Sequence, residues 1–209
     1  MKTSELNLFG IPIYVGKIKL KKEEIDYVIN SNYERVYVNN GFRTKNNYLL
    51  NDKNLKNLKK EIENELSSFV YDQLKIKNNY KFVMLNSWGM KHVKNDWAQP
   101  HCHSNSFISG VVYLKTNKNS GYFSFNKNLN WNNISSNFLK FEYTDYTQQN
   151  CDAWSILPEN GDVILFPSFL EHSVSKNESD EDRYCCSFNF YPNVEIKNKE
   201  FDNINLSVK

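Results

Sequence analysis

The chain has 209 residues, of which 40% are hydrophobic and 15% aromatic, with a formal net charge of +2. That length suffices for one domain with a real core, and so even a charge balance gives no strong signal for nucleic acid or an anionic membrane. No apolar run reaches the length of a membrane span, and Met1-Lys2-Thr3-Ser4-Glu5 lacks the apolar stretch of a signal peptide.

In chain order, Leu8, Ile11, Ile13, Val15, Ile18 and Leu20 alternate. They predict one or two strands between Leu6 and Leu20, broken near Gly10-Ile11-Pro12 and Gly16. Ile25, Val28 and Ile29 recur at helical spacing within Lys21 to Asn30. Acidic residues occupy the first turn there, so a short helix is expected. Val36 to Leu50 is polar and Asn-rich and reads as a surface connection with a strand piece, the alternative being a segment that lies over a pocket and shapes its specificity. Asp52 to Leu74 is the clearest helix, with Asp52 as its cap and Leu55, Leu58, Ile62, Leu66, Phe69, Val70 and Leu74 on its apolar face.

From Tyr80 the period changes to that of strands. Lys81 to Val93, Phe107 to Lys115, Gly121 to Phe125, Ala153 to Leu157, Val163 to Phe166, His172 to Val174 and Arg183 to Tyr191 are the expected strands. Asn126 to Asn150, carrying Trp131, Phe138, Phe141, Tyr143 and Tyr146, is long for a loop and reads as an insertion or a substrate-side lid. After Pro192 the chain is polar, with Ile196, Phe201, Ile204, Leu206 and Val208 as sparse apolar points, suited to an edge strand or a frayed end. Helices followed by about eight strands predict an α+β chain with a jelly-roll core. The expected division is one domain over 1–209: a strand and helix portion at 1–79, the core at 80–192, and a tail at 193–209. The helices would lie outside one sheet.

The four cysteines, at 102, 151, 185 and 186, do not read as a disulfide framework and point to a reducing cytoplasm. The sequence has four histidines, and three of them flank strand-like runs. One run is Gln99-Pro100-His101-Cys102-His103 leading into Phe107 to Leu114; the other is Gly161 to Phe166, followed by His172 and then Arg183. Imidazole is the commonest neutral ligand for Fe, Zn, Cu and Ni. His101 and His103 share a face on extended backbone, and an antiparallel sandwich or barrel can bring His172 alongside. His92 is read as an ordinary hydrogen-bonded histidine, and Trp88 as core.

Trp88, His101 with His103, Ser109 to Leu114, Gly161 to Ser168, His172, Arg183 and Ser187-Phe188-Asn189 together resemble the iron(II)- and 2-oxoglutarate-dependent oxygenases. They are similar in particular to a phage and bacterial, prolyl-hydroxylase-like branch. The opening Leu8-Phe9-Gly10-Ile11-Pro12-Ile13-Tyr14 is similar to the start of such chains. The resemblance implies a double-stranded β-helix, iron(II) on His101, His103 and His172, and O2 and 2-oxoglutarate as cosubstrates. It also implies release of succinate and CO2 with hydroxylation of a substrate. The superfamily usually has Asp or Glu where His103 stands, so a second ligand set keeps only His101 and His172 on the metal. Asp96 and Glu171 are carboxylates near in sequence but at the wrong offset.

The resemblance also assigns Arg183, eleven residues after His172, to the far carboxylate of 2-oxoglutarate, because a guanidinium pairs bidentately with a carboxylate. The position two further on, usually Ser, is Cys185, so Ser187 is the substitute. Tyr113, Asn86 and Asn189 are further cosubstrate candidates. The ordinary readings are a surface salt bridge for Arg183, core packing for Tyr113 and a ladder role for Asn86. Two other functions stay open: a cupin-like three-histidine metal enzyme without a keto acid, and a non-catalytic jelly-roll binding module. The substrate, whether protein side chain, nucleotide or metabolite, is not readable, and a homodimer is left open.

Overall fold

The computed structural model describes residues 10–127, 142–196 and 204–206, with 194–196 and 204–206 by backbone alone. Leu6, Leu8 and Phe9, the insertion aromatics Trp131, Phe138 and Phe141, and Phe201 and Val208 lie outside the described residues.

Strand β1 (Tyr14–Lys17) leads to helix α1 (Lys22–Ile29) and a hairpin of β2 (Tyr33–Arg35) and β3 (Phe42–Thr44). Two single 3-10 turns precede helix α2 (Lys56–Ser67), which continues as a π-helical turn over Ser68–Gln73. The strands that follow are β4 (Lys81–His92), β5 (Ala98–His101), β6 (Ile108–Lys115), β7 (Phe123–Asn126), β8 (Ala153–Ile156), β9 (Asp162–Pro167), β10 (His172–Val174), β11 (Arg183–Ile196) and β12 (Ile204–Leu206). One sheet has the order β1-β9-β6-β11-β4-β3-β2, with β12 on β11; the other is β5-β10-β7-β8. Every strand pair is antiparallel. The result is a jelly-roll-like fold, richer in strands than the sequence pattern predicts because short pieces such as β2 and β5 carry too few residues to show a period.

The period of two divides each central strand between two cores. On β6, Val111 and Tyr113 face the second sheet and pack with Phe123 and Phe125 of β7 and with Ile164 and Phe166 of β9. Val112 and Leu114 join Val28, Leu58 and Ile62 of the helices in the other cluster. Cys185 and Cys186 separate in the same way. The inner cluster leaves a cavity at one end, and the site lies there.

The helix expected over Asp52 to Leu74 is instead three consecutive helical geometries. Asp52 accepts a hydrogen bond from its own near neighbour, Asn54 N (2.9 Å), and so starts a 3-10 turn rather than the α-helix. The start of α2 is capped from a distance. Glu24 of α1, 4% exposed, accepts from Leu58 N at 2.7 Å, placing negative charge at the positive end of the helix. Replacing Glu24 with Ala strands that amide in the core and is expected to cost about 1–3 kcal/mol, read as a lowered urea midpoint.

Candidate metal centre

His101 ends β5 and His172 begins β10, and the two are direct cross-strand partners. Opposite residues of an antiparallel pair share a face, so both rings lie on the inner side of the smaller sheet. His103 lies just beyond β5, and its own N–H donates to Ser168 O at 2.9 Å. The three rings converge, with centroids 4.3 Å apart for His101 and His172, 5.2 Å for His101 and His103, and 5.1 Å for His103 and His172. Each offers a ring nitrogen within 4.8 Å of the others.

The second nitrogen of each ring is already committed. Nδ1 of His101 donates to Gln99 O (2.8 Å) and Nδ1 of His172 to Leu170 O (2.9 Å). A carbonyl can only accept, so these nitrogens carry the protons and Nε2 keeps its lone pair. Nδ1 of His103 donates to Asn189 Oδ1 (2.7 Å), whose amide is oriented by donating from Nδ2 to Asn86 Oδ1 (2.8 Å). Ser109 Oγ lies 2.9 Å from the same ring nitrogen and donates to Asn189 Oδ1 at 2.7 Å. Three bare imidazole nitrogens facing one point suit iron, zinc, copper or nickel.

His172 and His103 are pushed toward the neutral form that a metal needs. Burial, with His101 close by, takes His172 down to about 3; burial is also the main cause that lowers His103. His172 lies against Phe123 (ring centroids 5.5 Å apart, stacked) and Phe166 (4.7 Å).

The imidazoles open on a cavity of about 460 Å³, into which Arg183 also faces. Arg183 is 1% exposed. One of its Nη groups donates to Ser120 O, while Nε and the other Nη are buried without a hydrogen-bond partner. The surface salt bridge with Glu178, Asp180, Glu181 or Asp182 is therefore absent. Unpaired buried donors on a cation are costly, and a carboxylate in the cavity would satisfy them.

The other candidates separate by role. Tyr113 is fully buried, lines the cavity, and has its phenol pushed up by burial despite the opposing charge of Arg183. Ser187 and Cys185 line the same wall, and burial pushes the Cys185 thiol up to about 11. Asn189 and Asn86 also face the cavity but are joined to each other behind His103. Asp96 is taken by Arg35 (2.6 Å) and by Val93 N (3.1 Å).

Two residues read as ordinary belong to the site. Trp88 lines the cavity beside His103, its ring centroid 5.9 Å away. His92 is 2% exposed, with neither ring nitrogen hydrogen-bonded, and it is the cross-strand partner of Arg183. The alternation Asn86, Trp88, Met90, His92 along β4 marks one face, all four lining the cavity. The turn of the β2–β3 hairpin closes over this end. A Cβ on Gly41, whose φ is +71°, would lie 2.9 Å from the His92 ring, and Val36, Tyr37 and Asn40 join the lining.

Residues 86–189 match the profile of a family described as "Putative 2OG-Fe(II) oxygenase". No curated protein matches the sequence. Among solved structures, the chain is similar to an oxidoreductase of the 2OG-Fe(II) oxygenase family from Burkholderia pseudomallei. That match has 13% identity and a TM-score of 0.55, and covers 80% of this chain and 75% of that one. HygX from Streptomyces hygroscopicus, with nickel, 2-oxoglutarate and hygromycin B bound, matches with 13% identity and a TM-score of 0.57, over 87% and 83%. The non-heme alpha ketoglutarate dependent epimerase SnoN from nogalamycin biosynthesis matches with 10% identity and a TM-score of 0.61, over 88% and 79%. At these identities the three structures establish the fold.

Burial first, then the charges of Arg183 and Arg35, hold His92 well below its usual pKa. The unfolded chain therefore takes a proton below about pH 6.5 that the folded chain refuses, so stability falls as the pH drops through that value. His103 and His172 act in the same direction when no metal is bound. Replacing His92 with Gln is expected to flatten the acid-side loss by up to about 1.4 kcal/mol per pH unit, measured as urea stability of the metal-free protein.

Proposed function

Because the chain belongs to the iron(II)- and 2-oxoglutarate-dependent oxygenases, we propose that it hydroxylates a C–H bond of its substrate, using iron held by His101, His103 and His172. The single observation that carries this reading is the shared cavity. Three imidazoles with their Nδ1 protons tied down open on the same space as a buried guanidinium with two unpaired donor groups. A three-histidine metal enzyme that used no keto acid would have no reason to keep Arg183 in that state. A lapsed binding module would have no reason to fix three tautomers.

The iron and keto acid, when bound, supply oxygen activation coupled to oxidative decarboxylation of 2-oxoglutarate to succinate and CO2. The chain's own residues do the rest. Arg183 receives the far carboxylate with Nε and its free Nη, and Tyr113 offers its hydroxyl beside it. Ser187 and Cys185 form the adjacent wall. Asn189, held by Asn86 and Ser109, fixes the plane and tautomer of His103. Both asparagines are thus positioning residues rather than direct cosubstrate ligands. Phe123, Phe166 and Val111 keep the inner wall apolar and restrict water.

Hydroxylation is the outcome proposed here, and its setting is the prolyl-hydroxylase-like phage and bacterial branch, supported by His103 standing where other members carry a carboxylate. The structurally similar proteins include an epimerase and a carbocyclase, so the fold supports other oxidative outcomes. All four cysteines are free thiols, which supports the cytoplasm as its compartment. Among the described residues no helix is long and apolar enough to cross a membrane.

Iron-dependent conversion of 2-oxoglutarate to succinate, in the absence of other substrate if need be, tests the reading directly. Replacing Arg183 with Gln should raise the KM for 2-oxoglutarate by about tenfold to a hundredfold, the value of a charge-assisted hydrogen bond. An unchanged KM contradicts the assignment. Replacing Asn189 with Ala should weaken metal affinity by about 10- to 100-fold, measured by competition for cobalt(II) against a chromogenic chelator.

A further inference from the structure

Arg183 is not the only guanidinium in the cavity. Arg43 lines it too, from β3, where it pairs across the sheet with Met90 of β4. Its neighbour Thr44 is buried on the opposite face, accepting from Gly89 N at 3.0 Å, so Arg43 is directed inward by the strand period. The guanidinium lies over the Trp88 ring, 4.4 Å from its centroid, and that ring is the one beside His103. The stacking fixes the plane of the cation and leaves its edge free to donate.

What Arg43 lacks is a paired counterion: burial is the main influence on it, and the charge of Glu34 acts on it only through space. Its Nε is buried without a partner. It forms no ion pair among the described residues, and Glu34, opposite it on β2, is exposed and lies outside ion-pair distance. None of the described residues lining the cavity is acidic. The charges of the filled site therefore do not close. Iron(II) contributes two positive charges, held only by neutral imidazoles, and each guanidinium contributes one. 2-Oxoglutarate returns two negative charges, so positive charge remains in the cavity. In a site with a carboxylate ligand part of that excess would be absent.

We propose that Arg43, stacked on Trp88, receives an anionic group of the substrate, a carboxylate or a phosphate, and so holds the substrate next to the metal-binding histidines. The inference rests on the oxygenase reading and narrows its substrate to anionic molecules. Arg43 and Arg183 divide the work. Arg183 lies at the His92 end of β4, and Arg43 at the Trp88 end, beside His103.

The test uses the wild-type protein loaded anaerobically with iron(II) and 2-oxoglutarate. Chelation of iron(II) by a keto acid gives a visible charge-transfer band, which reports cosubstrate binding without turnover. Methyl phosphate, acetate and, as the uncharged control, acetamide are titrated at constant ionic strength. The expected result is a saturable shift of the band with one or both anions and none with acetamide. Whichever anion binds more tightly identifies the source of the charge. Arg43→Gln is expected to keep the band and to weaken the anion response about tenfold or more.

A band that forms in wild type but ignores both anions overturns the proposal, as does an equal response in Arg43→Gln. Absence of the band in wild type overturns the oxygenase reading itself, a distinguishable failure. If Arg43→Gln does not fold, a crystal of the wild-type protein with methyl phosphate decides. Phosphate oxygens within hydrogen-bond distance of Arg43 support the assignment, and phosphate seated elsewhere in the cavity refutes it.

Discussion

The pairing of β10 with β5 is the constraint on which the site depends. β10 has only three residues, yet its register places His172 opposite both His101 and Phe125. A slip of one residue would turn His172 to the outer face and leave two histidines without a third. Such a short strand has little intrinsic preference to pair. It is held because Phe123 and Phe125 of β7 pack on Phe166 of the facing sheet, and because Phe166 itself lies 4.7 Å from His172. The aromatic content of the chain is thus tied to the geometry of its imidazoles through the inner core.

A cost is set against that packing. The cavity holds Arg183 with two unpaired donor groups, Arg43 with another, and His92 with neither nitrogen paired. Buried polar groups in such a state oppose folding. Their survival in a protein whose other core is densely apolar is the usual mark of a site built for a ligand. A dicarboxylate that bound the folded chain would return part of this free energy, because a ligand specific for the native state stabilises it.

Much of this was legible in the chain itself. His101 and His103 stand out by their spacing of two and His172 by its place beside a strand-like run, whereas the role given to Arg183 rests on the resemblance to the oxygenases. The jelly roll follows from the change of period near Tyr80. The missed residues were missed for a common physical reason: their roles exist only across strands. Nothing local distinguishes His92 from a surface histidine until β11 pairs it with Arg183. Arg43 sits in a polar stretch read as a surface connection or a cover over a pocket, but only the hairpin of β2 and β3 aligned on β4 singles it out by turning it inward. Asn189 was visible as a residue on the right face, but its commitment to His103 depends on a contact 86 positions away.

With His103 as the proposed third ligand, where the resembled enzymes usually carry a carboxylate, the consequence goes further than the ligand count. Where a metal-binding imidazole leans on an aspartate or glutamate, negative charge reaches the metal through the ring. Here the three Nδ1 partners are the backbone carbonyls of Gln99 and Leu170 and the amide oxygen of Asn189, all neutral. Asp96, a carboxylate close in sequence, is held away from the centre by Arg35 and Val93. Neither the ligands nor the groups behind them therefore bring a formal negative charge to the cation. A metal in this setting is more electrophilic than one bound by a carboxylate, and the keto acid becomes its nearest source of compensating charge. On the proposed reading the same logic gives Arg183 a second consequence: by fixing the far end of a dianion it would fix the counter-charge of the centre.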